Sequence, residues 1–191
     1  MSVVTLSASY GAGGSQVGPR LAERLAVPLD DALAHDDAVR SVLERLLMRF
    51  APAAQAFSGA ATPPELVDER SFLRATEEVI REHAAAGSGV ILGRGAAIVL
   101  RETPGALHVR LDGPVERRLG RAMELEGVDR ATAERHMRET DRAREAYVQQ
   151  FYGVDARDVG LYHLVIDSTV LPVGDCVRII AEAATAFWEH R

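Results

Sequence analysis

A short apolar strand runs directly into a glycine-rich loop and then into a helix near the start of the sequence. Val3 to Leu6 predict a buried strand, Gly11 to Gly14 form the loop, and apolar residues recur every four positions from Val17 onward, as in an amphipathic helix. In this arrangement successive backbone amides can point at one phosphate group, and the helix dipole adds about half a positive charge. We therefore predict a phosphate-binding loop. The alternative is a tight turn without a ligand.

The loop departs from the usual pattern G-x-x-x-x-G-K-[ST]. Ala8 stands at the first glycine and Gly14 stands where the lysine belongs. The loop thus lacks the cation that commonly follows the charge on a transferring phosphoryl group. The hydroxyl of Ser15 falls where a magnesium ligand is expected. The residues assigned to the phosphate site are Gly11, Ala12, Gly13, Gly14, Ser15 and Gln16.

The rest of the chain alternates short apolar strands with helices. Further strands are predicted at 27–29, 90–92, 107–111 and 164–166, and further helices at 39–50, 64–86, 114–126, 130–147 and 174–190. This alternation over five strands predicts an α/β fold with a parallel sheet. A length of 191 residues with 47% hydrophobic content favours one domain.

Composition excludes several classes of function. The net charge of −6 disfavours binding to nucleic acid or to an anionic membrane. All 22 basic residues are arginines, so no lysine nucleophile is available. Cys176 is the only cysteine, which excludes an intrachain disulfide, and no run of about 18 apolar residues is present. We expect a soluble cytoplasmic protein, either monomer or homodimer.

Several blocks along the chain resemble the cytidylate kinase-like family of nucleoside monophosphate kinases. That family's loop reads approximately S-R-x-x-G-S-G-G, and here Ser7 to Gly14 read S-A-S-Y-G-A-G-G. The block from Val90 to Ala96 is similar to the family's strand ending in G-R-G, and to the G-R-D of true cytidylate kinases. Leu111 to Arg117 resemble the block before the lid, Asp141 to Arg144 the D-R-x-R of the lid, and Asp167 to Thr169 the D-S-T after the last strand.

The resemblance implies both a fold and an activity. The fold is a three-layer α/β/α P-loop kinase with strand order 2-3-1-4-5, a helical monophosphate-binding insertion at 31–70 and a lid at 126–162. The activity is transfer of the terminal phosphoryl group of ATP, with Mg²⁺, to a nucleoside monophosphate, and CMP or dCMP are favoured.

The resemblance also implies roles for charged residues of the lid and of the third strand's end. Arg94 would hold the acceptor phosphate, Arg142 and Arg144 would clamp both phosphates, and Arg138 would assist from one turn earlier. Asp141 would orient Arg138 or Arg142 through a charge-assisted hydrogen bond. The alternative is a solvated helical face, on which Asp141 and Arg138 form only a surface pair.

Two further groups of residues are candidates for the substrate site. Asp30 and Asp31 stand where the resemblance puts an acid at a strand end, and helix capping is the alternative. Tyr147, Phe151 and Tyr152 could form a base-stacking surface. Their spacing is also that of a buried helix face, which we favour.

Two positions depart from the family pattern. Ala8 replaces the loop arginine, and Gly95 replaces the aspartate of G-R-D. A catalytically silent nucleotide-binding module therefore stays open as a second hypothesis. A third is a kinase of another small acceptor, because a fold does not determine its substrate.

Overall fold

The computed structural model describes residues 2–30 and 69–190 of the protein. Within them, five parallel strands form one sheet in the order β2-β3-β1-β4-β5. This arrangement confirms the predicted α/β class and strand order. The strands are β1 Ser2–Ala8, β2 Leu29–Asp30, β3 Ser88–Leu92, β4 Ala106–Asp112 and β5 Leu164–Asp167.

Helices alternate with these strands. They are α1 Gly14–Leu25, α2 Glu69–Ala85, α3 Ala96–Val99, α4 Val115–Glu126, α5 Arg130–Tyr152, α6 Val173–Glu189 and a 3₁₀ helix at Val159–Leu161. The sequence did not predict α3 or the 3₁₀ helix, because a single turn is too short to show periodicity. The helix predicted at 39–50 lies outside the described residues, and so does nearly all of the insertion predicted at 31–70.

Helices pack on both faces of the sheet, which makes three layers. On one face Leu6 of β1 packs in a cluster with Leu21 of α1 and Ile180 of α6. On the other face Val3 of β1 packs in a cluster with Ile80 of α2. Because successive residues of a strand point to opposite faces, a strand covered on both sides has to be apolar throughout. This explains why Val3, Val4 and Leu6 of β1 are all apolar and fully buried.

All five strands end at the same edge of the sheet, since all run parallel. The loop between β1 and α1 lies at this edge, where open α/β sheets bind their ligands. Helices α4 and α5 lie beside it and pack together through Leu119, Ala133 and Met137. In the part of the chain that is described, no helix combines the length and apolarity needed to cross a membrane.

Candidate functional site

The loop between β1 and α1 opens unpaired amides onto a cavity. Gly11 and Gly13 have φ angles of 76° and 80°, a left-handed conformation that glycine adopts readily. Among the described residues, the amides of Gly11, Gly13, Gly14 and Ser15 have no hydrogen-bond partner, and all four residues line the cavity. Unpaired backbone amides are costly when they are removed from water. The loop is therefore suited to hold an anion.

Two loop residues assigned to the phosphate site use their amides inside the protein. The Ala12 amide donates to the Ser9 carbonyl at 3.0 Å, and the Ala12 side chain is fully buried. The Gln16 amide donates to the Gly13 carbonyl at 3.0 Å, while the Gln16 side chain lines the cavity. The Ala12 amide therefore closes the turn of the loop, and a contact between Ala12 and the phosphate stays a prediction.

The cavity has a volume of about 660 Å³ and lies at the carboxyl ends of β1 and β3. The loop forms one wall. The other walls combine residues that were predicted for the site with residues that were not, among them Thr76, Arg94, Arg110, Glu126, Arg144, Tyr147 and Tyr162. Its size is in the range of small-molecule ligand sites.

Arg144 reaches the loop from α5. Its Nη1 donates to the Ala8 carbonyl at 2.9 Å, and the guanidinium lines the cavity. Burial lowers the pKa of Arg144, with a further contribution from the positive charges of Arg110 and Arg118, while the charge of Asp141 opposes the shift. An arginine stays protonated nevertheless. Arg144 therefore brings a half-buried positive charge to the end of β1.

Asp141 forms hydrogen bonds with the loop and with Arg118 of α4, and not with Arg138 or Arg142. Its Oδ1 accepts from the Tyr10 amide at 2.8 Å, and its Oδ2 accepts from Nη1 of Arg118 at 2.7 Å. Arg118 also donates to the Tyr10 carbonyl at 2.8 Å. The predicted pairing of Asp141 with Arg138 or Arg142 is therefore wrong, because Arg118 of α4 occupies that place.

Arg138 and Arg142 lie on the exposed face of α5. Nη1 of Arg138 is 3.8 Å from Oε2 of Glu134, one turn away, and Arg142 is exposed. The cavity is not lined by either side chain. Their role as a clamp stays a prediction.

Arg94 lies in the turn after β3 and lines the cavity. Its φ of 54° is unusual for a residue with a side chain, and such strain is often found at functional sites. The next residue, Gly95, also has a positive φ, and a Cβ there would lie 2.9 Å from Cε2 of Tyr152. The Tyr152 ring thus fills the space that the aspartate of a G-R-D block would need.

The three aromatic residues of α5 divide between the cavity and the packing around it. Tyr147 lines the cavity, whereas Phe151 and Tyr152 are not among its lining residues. Both rings pack edge-on against Tyr147, with centroids 5.0 and 6.1 Å away. The structure thus brings only Tyr147 of the three to the position expected of a base-stacking residue.

Arg110 is a buried cavity residue that the sequence analysis missed. It donates to Oδ2 of Asp112 at 2.8 Å, to Oγ of Ser9 at 2.9 Å and to the Ala156 carbonyl at 3.0 Å. Burial opposes its charge, but the hydrogen bond and charge of Asp112 outweigh it and raise the pKa of Arg110. The sequence contained a signal for Arg110, because an arginine inside a largely apolar strand needs a buried partner.

Arg121 is a second cation that the analysis missed. Its Nη1 donates to the Ser168 carbonyl at 2.6 Å, and a Cβ on Gly13 would lie 2.7 Å from its Nη2. The guanidinium therefore lies against the loop at the start of α1. The sequence offered no means of choosing it from the eight arginines between Glu116 and Glu145.

The remaining predicted residues concern the metal and the acceptor. Ser15 is exposed in the first turn of α1 and lines the cavity. Asp30 is the last residue of β2, and Asp31 lies outside the described residues. Over 2–30 and 69–190, no three or more His, Cys, Asp or Glu side chains are grouped to hold a metal ion.

Comparison with known proteins identifies the family of this chain. The profile of the Cytidylate kinase-like family matches residues 3–170. A cytidylate kinase from Pyrobaculum aerophilum is 26% identical over 179 residues, covering 94% of this chain and 90% of that protein. A cytidylate kinase from Methanopyrus kandleri is 34% identical over 97 residues, covering 47% of this chain. The match spans only half the length of that second relative (50%).

Among solved structures, the fold is similar to that of an uncharacterized protein from Eubacterium ventriosum. The TM-score is 0.71, with 21% sequence identity, and the match covers 97% of this chain and 99% of that one. At this level of identity the similarity concerns the fold alone.

Proposed function

The chain belongs to the cytidylate kinase-like family, and from this premise we propose that it transfers the terminal phosphoryl group of ATP to a nucleoside monophosphate, with CMP and dCMP as the favoured acceptors. One observation carries the proposal. The unpaired amides of the loop open onto the same cavity as Arg94 and Arg144. Anion donors from three different parts of the chain therefore converge on one space.

The loop is suited to the donor. Amides of Gly11, Gly13, Gly14 and Ser15, together with the dipole of α1, would hold the phosphates of ATP. The Ser15 hydroxyl would contribute a ligand to Mg²⁺, and the nucleotide phosphates would contribute others. Mg²⁺ would supply charge neutralisation on the transferring phosphoryl group.

The part of the cavity wall around Arg94 is suited to the acceptor. Arg94 would hold the acceptor phosphate, and Arg144 would lie between donor and acceptor. An oxygen of the acceptor phosphate would attack the terminal phosphorus while the bond to the bridging oxygen of ADP breaks. Such a transfer depends on alignment and charge neutralisation, which fixed guanidinium groups provide. Tyr147 offers the acceptor base an aromatic wall.

Two parts of this proposal concern the closing of the lid and the acceptor contacts next to residues 31–70. Asp30 and Asp31 would contact the acceptor, next to an insertion at 31–70. The lid at 126–162 would close over both nucleotides and bring Arg138 and Arg142 toward their phosphates. Structures of the kinase fold commonly close in this way around their substrates.

A coupled assay of ADP release tests the proposal. We expect turnover that requires ATP, Mg²⁺ and a nucleoside monophosphate, with CMP or dCMP used faster than UMP or AMP. Absence of turnover with all four monophosphates contradicts the proposal. Turnover with another small acceptor, such as a sugar acid, would retain the phosphotransferase and replace the acceptor.

One observation favours a catalytically silent nucleotide-binding module as a second candidate. The loop carries no cation of its own, since Ala8 and Gly14 stand at the two positions where related loops have arginine or lysine. Removal of a preorganised charge typically costs a factor of about 10² to 10³ in rate. Calorimetry that gives saturable ATP binding, in a protein that releases no ADP, supports this candidate.

A further inference from the structure

The turn after β3 contains three consecutive residues in a left-handed conformation. Gly93, Arg94 and Gly95 have φ angles of 80°, 54° and 70°. Glycine adopts such angles readily, whereas a residue with a side chain does so only at a cost. A strained residue of this kind persists only where its surroundings hold it. The contacts of this turn at 93–95 therefore decide whether Arg94 keeps its place at the cavity.

A hydrogen bond holds the start of the turn at 93–95, and an aromatic ring lies against its end. The Gly93 amide donates to the Leu6 carbonyl at 3.0 Å. A Cβ on Gly95 would lie 2.9 Å from Cε2 and 3.5 Å from Cζ of Tyr152. The three nearest atoms outside the chain neighbours of Gly95 all belong to that ring. Tyr152 thus packs directly against the residue that follows Arg94.

A second ring lies beside the same arginine. Tyr147 lines the cavity, and its ring packs edge-on against Tyr152 with the centroids 6.1 Å apart. Burial raises the pKa of Tyr147, and the positive charge of Arg94 opposes this shift, as expected for a guanidinium close to the two rings. Displacement of the Tyr152 ring would therefore disturb both the backbone of Arg94 and the wall beside its side chain.

Both rings belong to α5, the helix that also contacts the loop between β1 and α1. Asp141 accepts from the Tyr10 amide at 2.8 Å, and Arg144 donates to the Ala8 carbonyl at 2.9 Å. Tyr152 is the last residue of the same helix. Helix α5 therefore contacts the loop near its middle and the turn at 93–95 at its end. One rigid element thus sets the separation between them.

We propose that Tyr152 is a positioning residue, and that its ring holds the turn at 93–95 in the conformation that presents Arg94 to the phosphate of the acceptor. This inference rests on the proposed function, because it concerns the acceptor part of the same site. It differs from the base-stacking role considered for Tyr152, since the ring acts through Arg94 and does not touch the acceptor. A misplacement of about 1 Å can cost a factor of about 10² in rate.

The first test compares acceptor and donor binding by calorimetry of the full chain. Tyr152→Ala should weaken CMP binding by at least about tenfold, as expected when a charged hydrogen bond is lost, and should change ATP affinity by less than about twofold. Phe151→Ala is the matched control, because Phe151 also packs on Tyr147, at 5.0 Å, whereas the ring against Gly95 is that of Tyr152. Equal CMP affinities for wild type and Tyr152→Ala, or equal losses in Tyr152→Ala and Phe151→Ala, overturn the inference.

Tyr152→Phe tests whether the ring is sufficient. The atoms that approach Gly95 are ring carbons, and phenylalanine keeps them. This variant should therefore retain the CMP affinity of the wild type. A loss as large as that in Tyr152→Ala would assign the effect to the hydroxyl group and overturn the inference.

A double-mutant cycle with Arg94→Met tests whether Tyr152 acts through Arg94. Tyr152→Ala should then cause no further loss of CMP affinity in the Arg94→Met background, because the guanidinium that it positions is gone. The same loss in both backgrounds overturns the inference. If Tyr152→Ala does not fold, Gly95→Ala decides instead, because its Cβ would displace the ring from the other side. It should weaken CMP binding, and an unchanged affinity overturns the inference.

The outcomes separate this inference from the proposed function. A wild-type protein that binds CMP in a manner that depends on Tyr152, but transfers no phosphoryl group, upholds the inference and contradicts the kinase. A wild-type kinase whose KM for CMP is unchanged in Tyr152→Ala upholds the kinase and contradicts the inference. A wild-type protein that binds no CMP contradicts both.

Discussion

At the scale of single residues, Ala8 and Gly14 show how the loop differs from the common pattern. In G-x-x-x-x-G-K-[ST] the first position is glycine and the penultimate one is lysine. Here residue 8, at the first position, carries a methyl side chain. A Cβ on residue 14 would lie only 2.7 Å from that methyl group, which explains why residue 14 is glycine. The two departures noticed in the sequence are therefore one coupled change.

This coupling predicts the effect of restoring the lysine. Gly14→Lys should lower the free energy of unfolding by about 1–3 kcal/mol, the usual cost of overpacking. Ala8→Gly in the same chain should remove most of that cost, because it vacates the colliding methyl group. Urea unfolding of the single and double variants measures both values.

Gly120→Lys is the control for this experiment. Gly120 lies within α4, and a Cβ there would meet nothing within 4 Å. Lysine should be neutral or stabilising at that position, since glycine is the weaker helix former. Equal destabilisation by Gly14→Lys with and without Ala8→Gly would show that the two residues are independent.

At the scale of elements, α5 presents two different faces. Met137, Asp141, Arg144 and Val148 follow helical spacing and turn toward the loop, the cavity or the core. Arg135, Arg138 and Arg142 follow the same spacing on the exposed side. A helix predicted as part of a mobile lid is thus joined to the loop by two hydrogen bonds in this arrangement.

Asp141 accepts hydrogen bonds from the Tyr10 amide of the loop and from Arg118 of α4. These bonds predict that α5 and the loop depend on each other for stability. Asp141→Ala should lower the free energy of unfolding by about 3 kcal/mol, because it removes the nearer carboxylate partner of the buried Arg118 and leaves only Asp112, at 3.5 Å. Arg118→Met should add little further loss in the Asp141→Ala background, since the charge is then gone. Denaturant unfolding of the four proteins in this cycle measures the coupling.

Glu139→Ala provides the comparison on the same helix. Glu139 is exposed and lies two positions before Asp141 on α5, so its loss should change stability by less than about 0.5 kcal/mol. If Asp141→Ala lowered the free energy of unfolding no more than Glu139→Ala does, the hydrogen bonds of Asp141 would have no structural role.

At the scale of the whole molecule, the sheet contains a buried histidine. His108 of β4 is 2% exposed, its Nδ1 is 2.9 Å from Oγ1 of Thr5 on β1, and its ring stacks on His163 at 4.8 Å. Burial lowers the pKa of His108 to about 4, and the neighbouring His163 contributes in the same direction. The folded protein therefore keeps His108 neutral at pH values at which the unfolded chain protonates it.

This difference predicts acid sensitivity of the global stability. The unfolded chain takes up the proton near pH 6.5 and the folded protein only near pH 4, so stability is complete above pH 6.5 and falls as the pH drops toward 4. The loss from this group should reach about 3 kcal/mol. Urea unfolding between pH 7 and pH 4 measures it.

His108→Gln identifies the source of that dependence. Glutamine is similar in size, can pair with Thr5 and does not titrate in this range. The variant should therefore lose less stability than the wild type between pH 6.5 and pH 4. If the free energy of unfolding fell equally with pH in the wild type and in His108→Gln, His108 would not be the source of the acid sensitivity.

The sequence alone determined the architecture and the place of the site. The apolar runs, the glycine loop and the helical spacing are local patterns, and their order along the chain was sufficient for a parallel α/β sheet with a phosphate-binding loop, whereas the strand order 2-3-1-4-5 was implied by the family resemblance. Local propensity and binary pattern act within a few residues, so they can be read without the fold.

Only the tertiary structure decided what each charged side chain does. Arg118 and Arg144 have the same chemistry and lie in neighbouring helices, but each has a partner from a distant part of the chain. The Tyr10 carbonyl lies 108 residues from Arg118, and the Ala8 carbonyl lies 136 residues from Arg144. The role of a guanidinium depends on the groups around it in the folded protein. Those groups come together only when the strands and helices have packed.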